Sequence, residues 1–267
     1  ARDFAVASNL IESFRPDVIV NCGGNSLASD FASMPDIRRE TLSSLNQALL
    51  VCSVSLGCRY VYLSSSMVYG DFCSTPIQED APKNPLDPYG ALKLGCEHLI
   101  QAFAYQHSDL DYVILRPSAV YGALDSNERI LLRLLHAFDE DNAIVLRDQN
   151  EVLDFTPVSH LAEKITRAVM AAGPIRTSFN VSNGQGYSIA QAVAMFEKIV
   201  GPVPVDTQSG PEEDIKRPRR GALSNEKHDS VFGPIAAVPL ESGLRQLVAE
   251  SREAGLITRE ADAGDLG

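Results

Sequence analysis

Tyr89 and Lys93 lie four residues apart in the segment Asp-Pro-Tyr-Gly-Ala-Leu-Lys, and a serine cluster at residues 64–66 precedes them. Residues four apart share one face of a helix, so the spacing predicts that the Lys93 ammonium lies beside the Tyr89 phenol and favours its ionised form. Tyr89 could then exchange a proton near neutral pH. A hydroxyl such as Ser65 can hydrogen-bond the same substrate oxygen. The three groups suit proton transfer to or from an alcohol or carbonyl while a hydride moves elsewhere.

A tyrosine and a lysine four residues apart occur by chance in many helices. The strands and helices around the pair therefore decide whether a catalytic role is justified. Taken alone, the serines are better explained as a polar strand end that caps nearby backbone groups; the Tyr89/Lys93 pair makes a catalytic role the better interpretation. The apolar pattern predicts a helix that stops before Pro16, a strand at 17–21, a helix at 38–56, a strand at 60–63, a helix from Tyr89 to His107 and a strand at 112–115. Strands that alternate with helices predict a parallel, doubly wound sheet. Ligands bind beyond the carboxyl ends of such strands, where residues 21–24, 64–66 and 116–118 would meet.

The pattern loosens after Gly122. It predicts helices at 128–138 and 160–171, strands at 143–146 and 179–181, and a capping-box helix that starts at Ser188 and ends at Gly201. Residues from 250 onward are charged and poor in apolar periodicity, which predicts a frayed tail. A substrate lobe would therefore grow after residue 122.

Composition excludes several classes of protein. The 267 residues are 45% hydrophobic, enough for a large buried core, and the net charge of −12 disfavours binding to nucleic acid or to an anionic membrane. The five cysteines and five histidines have no spacing typical of a metal site, so we expect no metal and regard the cysteines as reduced core thiols. No apolar segment is long enough to span a bilayer, and no signal layout opens the chain. A cytoplasmic protein is expected.

An ordered set of motifs resembles a known family. The motifs are Pro-Asp-Val-Ile-Val at 16–20, Leu-Ser-Ser-Ser-Met-Val-Tyr-Gly at 63–70, Glu79, the Tyr89/Lys93 pair, Glu97, Leu-Arg-Pro-Ser-Ala-Val-Tyr-Gly at 115–122, Asp-Phe at 154–155 and Phe-Asn-Val at 179–181. Together they resemble the extended short-chain dehydrogenases/reductases of the nucleotide-sugar epimerase/dehydratase type. The resemblance implies an α/β fold, a Rossmann-type doubly wound parallel sheet with a smaller C-terminal α+β substrate lobe. Residues 1–123, with 154–182 returning to them, would form the Rossmann-type domain; 124–153 and 183–250 would form the lobe, and 251–267 the tail.

The resemblance also assigns roles. Tyr89 would be the acid/base, Lys93 its partner on the nicotinamide ribose, and Ser65 the hydroxyl that binds the reacting oxygen. NAD or NADP would be the cofactor, and the residues expected to bind it are Asp3, Phe4, Cys22, Gly23, Gly24, Tyr89, Lys93 and Pro117. Those expected at the substrate are Ser66, Met67, Ala119 and Arg217.

Departures from the family pattern narrow the chemistry. Dehydratases and decarboxylases of the family place carboxylates where this chain has Ser66 and Met67, so epimerisation or ketone reduction outranks elimination. Ala119 and Leu153 replace an asparagine and an arginine that usually hold the sugar-nucleotide diphosphate. Arg217, in a family-like Arg-Pro step, would retain one phosphate contact.

The glycine-rich GxxGxxG turn of the family does not precede Asp3. Either the sequence begins late, by on the order of 60 residues, or the protein lacks its own cofactor half. We favour the first interpretation because the three catalytic groups make little sense without nicotinamide.

The leading hypothesis is an NAD(P)-dependent sugar 4-epimerase or 4-ketoreductase, with a nucleotide-sugar as its small-molecule substrate. A reductase of a nonsugar carbonyl and a noncatalytic dinucleotide sensor on the same fold remain alternatives. The resemblance further implies a homodimer formed through helices at about 41–56 and 90–106. The sequence does not choose NAD over NADP, or an epimerase over a reductase.

Overall fold

The computed structural model describes residues 4–23, 46–47, 49–125, 129–146, 148–206 and 219–259. Asp3, Gly24 and Arg217, together with the predicted start of the helix at residue 38, lie outside these ranges. Phe4 is the first residue of a helix, and its side chain is outside the description.

The elements agree closely with the predicted order. The strands are β1 (Val18–Asn21), β2 (Arg59–Leu63), β3 (Tyr112–Pro117), β4 (Ala119–Tyr121), β5 (Ile144–Val145), β6 (Val152–Pro157), β7 (Thr177–Val181), β8 (Gly186–Ser188) and β9 (Val205–Asp206). The helices are α1 (Phe4–Phe14), α2 (Pro88–Gln106), α3 (Ile130–Glu140), α4 (Val158–Met170), α5 (Ile189–Val200), α6 (Glu226–Phe232) and α7 (Leu240–Glu253). Residues 46–47 and 49–56 are also helical, and Ser66–Tyr69 form a 3₁₀ turn that the apolar pattern did not predict. None of the described helices is long and apolar enough to cross a bilayer.

Four parallel strands form the main sheet in the order β1-β2-β3-β7. Side chains alternate between its two faces. Tyr60 and Tyr62 of β2 face one cluster, which contains Cys96 and Ile100 of α2 and side chains of helical residues 49–56. Val61 faces the opposite cluster, with side chains of α4. Helices therefore cover both faces, and the prediction of a doubly wound parallel sheet is confirmed.

A second body of structure follows β3. Strands β4, β6 and β8 form a three-stranded sheet, β5 pairs with β9, and an apolar core lies among α3, α5 and α7. The predicted capping box is present, because Ser188 Oγ accepts from Gln191 N at 3.1 Å and Gln191 Oε1 accepts from Ser188 N at 2.8 Å. The smaller α+β lobe is thus confirmed in its architecture.

Three predictions about exposure are wrong. Residues 251–259 are not frayed, since Ser251 and Ile257 are buried and Asp139 accepts hydrogen bonds from the amides of 258 and 259. Cys22 and Cys73 are exposed instead of buried in the core. The spacing of Leu10, Ile11 and Phe14 predicts that all three form the apolar face of α1, but Leu10 and Phe14 are exposed, and Ile11 packs against the core.

Glu97 and Arg116 form a buried ion pair between α2 and β3. Arg116 Nε donates to Glu97 Oε1 at 3.0 Å and Arg116 Nη2 to Oε2 at 2.6 Å, while Ser64 Oγ donates to the same carboxylate. Arg116 Nη1 also donates to the Tyr69 hydroxyl at 2.9 Å. Arg116 is therefore held as a structural residue, and its bonds fix the end of β2 against the helix that carries Tyr89.

Replacing Glu97 with Leu should destabilise the protein by about 3–5 kcal/mol, because it leaves the Arg116 guanidinium buried without a counter-charge. The double variant Glu97→Leu/Arg116→Met should lose less than Glu97→Leu alone. Urea unfolding of nucleotide-free protein measures both. Glu163→Gln, at the exposed i,i+4 pair with Arg167, is the control and should change stability by less than about 1 kcal/mol. A Glu97→Leu variant no less stable than this control would contradict the role given to the pair.

Candidate active site

The carboxyl end of β2 carries the serine cluster. The β2–β3 pairing continues one residue past Leu63, because Ser64 N donates to Leu115 O at 2.7 Å. Ser65 then caps the 3₁₀ turn, with its hydroxyl accepting from Met67 N at 3.2 Å. The cap and the proposed substrate contact are compatible, since one hydroxyl has two acceptor positions and a donor.

The start of α2 brings Tyr89 to this strand end. Asp87 caps the helix by accepting from Gly90 N at 2.9 Å, and Pro88 fits its first turn. A side chain at Gly90 would place its Cβ 2.6 Å from Met67 O, so glycine is needed for α2 to dock on the 3₁₀ turn. The docking places the Tyr89 phenol in a hydrogen bond with the Ser65 side chain.

Lys93 lies one helical turn after Tyr89 and is buried. Its Nζ donates to Leu63 O at 2.8 Å and lies 5.0 Å from the centroid of the Tyr62 ring and 5.8 Å from that of Tyr89. The structure therefore brings Ser65, Tyr89 and Lys93 together at the mouth of the sheet.

The pKa shifts of Tyr89 and Lys93 differ from those that their four-residue spacing predicts. Burial raises the pKa of Tyr89, and the hydrogen bond with Ser65 and the nearby Arg129 charge oppose that shift. Burial lowers the pKa of Lys93 to about 8. The prediction that Lys93 brings the pKa of Tyr89 towards neutral is wrong for this arrangement, because Lys93 Nζ is directed at the Leu63 carbonyl.

The predicted substrate residues within the described ranges follow β2 and β3 along the chain. Ser66 is buried and Met67 half-buried in the 3₁₀ turn, and half-buried Ala119 pairs with Phe155 across β4 and β6. Leu153 is buried in the core of the lobe.

Asp154 joins the lobe to the end of the main sheet. Its buried carboxylate accepts from the amides of Asn183, Gly184 and Leu223 at 3.1–3.2 Å, and burial raises its pKa to about 6 against the effect of these bonds. Asp154 thus ties residues 183–184 and 223 to β6.

The predicted cofactor residues within the described ranges follow strands of the main sheet. Cys22 and Gly23 come directly after β1, and Pro117 ends β3. Cys22 lies close enough to Lys93 for the two side chains to interact electrostatically. The exit of β1 therefore faces the same mouth as the catalytic candidates.

Sequence reasoning assigned no role to two residues that shape the site, although it placed Asn21 at the mouth of the sheet. The buried Asn21 amide accepts from Gly23 N at 2.9 Å; a polar residue at the end of an apolar strand was an available signal, because buried amides need partners. Arg129 approaches Tyr89 through its anchor on Val120 O at 2.6 Å, and no local pattern indicates that contact. Among the described residues, no group of three or more metal-ligating side chains occurs.

Comparisons with known proteins agree with this fold. The profile of the NAD dependent epimerase/dehydratase family matches residues 2–182. The UDP-glucose 4-epimerase of Halalkalibacterium halodurans is 23% identical over 261 residues, which cover 87% of this chain and 75% of that protein. The dTDP-glucose 4,6-dehydratase of Xanthomonas campestris is 26% identical over 275 residues, 92% of this chain and 75% of that protein. Alignments with two further UDP-glucose 4-epimerases cover only 49% and 51% of those proteins.

A solved structure is also similar. MoeE5 in complex with UDP-glucose and NAD has a TM-score of 0.80 at 26% identity, and the match covers 92% of this chain and 83% of that one. Because the family profile spans more than half of the chain and the fold agrees with it, the protein belongs to the NAD-dependent epimerase/dehydratase family of extended short-chain dehydrogenases/reductases.

Proposed function

We propose that the protein is a 4-epimerase or 4-ketoreductase that uses NAD or NADP and acts on a nucleotide-linked sugar. The observation that carries the proposal is the assembly of Ser65, Tyr89 and Lys93 at the strand ends, with Ser66 and Met67 where the dehydratases of the family place carboxylates.

The residues present fit a nicotinamide dinucleotide. An ammonium has three N–H donors, and within the described residues Lys93 Nζ has one hydrogen-bond acceptor, Leu63 O, so it can also donate to ribose hydroxyls. Tyr89 and Lys93 would hold the nicotinamide end, while Cys22, Gly23 and Pro117 would line the adjoining strand ends. The dinucleotide supplies the hydride acceptor and donor. Roles for Asp3, Phe4 and Gly24 remain proposals from the family resemblance.

Tyr89 and Ser65 handle the proton. When a sugar alcohol group is oxidised to a ketone, the carbon that bears the hydroxyl loses its hydrogen as hydride. The proton of the hydroxyl must go to a base. Ser65 orients the reacting oxygen, and Tyr89 takes the proton and returns it when the ketone is reduced. The Arg129 charge and the Ser65 hydrogen bond favour the phenolate that this step requires, whereas burial favours the phenol.

Elimination of water needs a further acid and base beside the oxidised carbon. The hydroxyl of Ser66 and the thioether of Met67 cannot perform these roles at neutral pH. The dTDP-glucose dehydratase relative therefore supports the family and the substrate class more than the reaction.

The names of the relatives support a nucleotide-sugar substrate. From the family resemblance, we propose Ala119, Met67 and Ser66 beside the sugar and Arg217 at a phosphate. Ala119 and Leu153 leave a nonsugar carbonyl as the second candidate. If no nucleotide-sugar raises the melting temperature of the protein loaded with NAD or NADP, a nonsugar carbonyl substrate is favoured. NAD that remains bound through purification would favour the epimerase over the reductase, and dinucleotide binding without turnover would favour a sensor.

The proposal also includes the division into domains and the cellular compartment. We retain the division at 123, with 154–182 returning to the first domain. Side chains of α4 and β7 pack in a core of the main sheet and support it, whereas Phe155 of β6 packs in the core of the lobe. A reducing compartment, the cytoplasm, suits the five free cysteines.

Tyr89→Phe should lower kcat by a factor of about 10²–10⁴, because the ring remains but the proton carrier is lost. Tyr105→Phe, the same change at an exposed tyrosine of the same helix, is the matched control and should leave turnover unchanged. Rates of nucleotide-sugar conversion and NADH titrations on the full-length protein measure this. Full activity in Tyr89→Phe would sink the assignment.

Lys93→Met should abolish turnover yet stabilise the nucleotide-free protein by about 1–3 kcal/mol, because a buried ammonium whose pKa falls to about 8 opposes folding. The lysine is protonated in both folded and unfolded protein below about pH 8, so the gain is full there. It shrinks as the pH rises from 8 towards 10.5, where only the unfolded lysine keeps its proton. Urea unfolding between pH 7 and 10 measures it.

The control is Lys227→Met, where the ammonium makes two hydrogen bonds, to Thr177 Oγ1 at 2.7 Å and Ser178 O at 2.9 Å. Burial lowers the pKa of Lys227 as well, but the loss of these two hydrogen bonds should offset that effect, so the variant should gain no stability. Equal responses from the two variants would contradict the special position of Lys93.

A homodimer through the outer face of α2 would bring together the small exposed residues Ala91, Gly95 and Ala102, which allow two helices to approach closely. Ala102→Arg should roughly halve the mass measured by light scattering, because two guanidinium groups would be forced together. Glu253→Arg, on α7, is the control. An Ala102→Arg protein of unchanged dimeric mass, or a monomeric wild type, would exclude this interface.

A further inference from the structure

The turn that leaves β1 is tied to the sheet by a chain of buried hydrogen bonds. Gly23 N donates to Asn21 Oδ1 at 2.9 Å, and Asn21 Nδ2 donates to the Tyr60 hydroxyl at 2.7 Å. The Tyr60 hydroxyl donates in turn to Asn46 Oδ1 at 2.5 Å. The chain therefore runs from a mouth residue, through β1 and β2, to the helical segment that contains residues 46–47.

The direction of this chain is fixed. Asn21, Tyr60 and Asn46 are buried, at 5%, 0% and 1% exposure, so water cannot replace a lost partner. Burial raises the pKa of Tyr60, which keeps its hydroxyl a donor at physiological pH. Asn46 Oδ1 can only accept, so Tyr60 must present a lone pair to Asn21 Nδ2, and the Asn21 oxygen is left to face Gly23 N.

The tie has a consequence for ligand binding because the turn faces the catalytic candidates. Cys22, between the two joined residues, is exposed and lies close enough to Lys93 to interact electrostatically. An asparagine that bonds the amide two residues ahead restricts the intervening turn to a narrow set of conformations. A turn held in this way presents a fixed surface to a ligand and avoids an ordering cost on binding.

We propose that Asn21 is a positioning residue for the dinucleotide: with Tyr60 and Asn46 behind it, it holds the Cys22–Gly23 turn in the shape that receives the nicotinamide half. This inference rests on the proposed function. Asn21 acts through the backbone of the turn and takes no part in proton transfer.

Breaking this chain of hydrogen bonds should weaken NADH binding by more than the accompanying loss in the free energy of unfolding explains. Asn21→Ala should raise the Kd for NADH by about 3- to 10-fold, the loss expected for one hydrogen bond. Tyr60→Phe leaves Asn21 in place and leaves its Nδ2 only the longer hydrogen bond to Asn46 Oδ1 at 3.5 Å, so it should raise the Kd by a smaller factor. The double variant should resemble Asn21→Ala, because the two changes break one chain.

Full-length protein freed of nucleotide provides the test, with NADH and NADPH titrations read by fluorescence. Ser53→Ala is the matched control: it removes a buried hydroxyl that donates to Leu49 O at 2.9 Å in the neighbouring helical segment, away from the turn. Urea unfolding should show comparable stability losses for Ser53→Ala and Asn21→Ala. Only Asn21→Ala and Tyr60→Phe should change the Kd.

A second readout reports the turn directly. Bound NADH should slow maleimide labelling of Cys22, measured by mass spectrometry, whereas exposed Cys73 serves as the internal reference. Asn21→Ala should need correspondingly more NADH for the same protection. Wild-type protein that binds NADH while Asn21→Ala and Tyr60→Phe keep its Kd would overturn this inference alone. A wild type that binds neither dinucleotide would overturn the proposed function with it.

Discussion

The buried Glu97 carboxylate is the interaction on which the arrangement of the site depends. It accepts from Arg116 of β3 and from Ser64 at the end of β2, while its own backbone belongs to α2. A charge pair removed from water is costly unless its hydrogen bonds are well made, and here both carboxylate oxygens are used. The pair fixes the helix that carries Tyr89 and Lys93 relative to the strand end that carries Ser65. The geometry of the candidate site is thus set by a residue that has no proposed role in the reaction.

The polar network continues from this pair towards the lobe. Arg116 donates to the Tyr69 hydroxyl, Tyr69 donates to Asn180 Oδ1 at 2.7 Å, and Asn180 Nδ2 donates to Ile77 O at 3.0 Å. Ile77 in turn pairs with the strand-like segment at 222–224, which Asp154 also holds. Burial that supplies this precision also raises the pKa of Tyr89 and lowers that of Lys93.

The sequence predicted the sheet and its helices well because long periodic segments carry their own signal. The strand at 59–63, the helix at 88–106 and the capping box at Ser188 depend on local pattern and local hydrogen bonds, and each was found within a few residues. The exposure of individual side chains was harder to predict. Ile257 looked like part of a charged tail, and only the distant Asp139 shows why the chain there is held. Lys93 was placed on the correct helix face, but the Leu63 carbonyl that redirects its ammonium lies 30 residues away in sequence. Arg129 reaches Tyr89 through tertiary packing that no local spacing records.

The central claim is that this site moves protons and hydride at one sugar carbon without elimination, because Ser66 and Met67 supply no carboxylate. The most direct measurement is NMR of the product formed from a nucleotide-hexose by the full-length protein in D₂O, with NAD and with NADPH. Elimination must remove the proton at C5, next to the C4 ketone, and would return solvent deuterium there together with a 6-deoxy group. The account predicts conversion at C4 with the C5 proton retained. Deuterium at C5 in a 4-keto-6-deoxy product would contradict it.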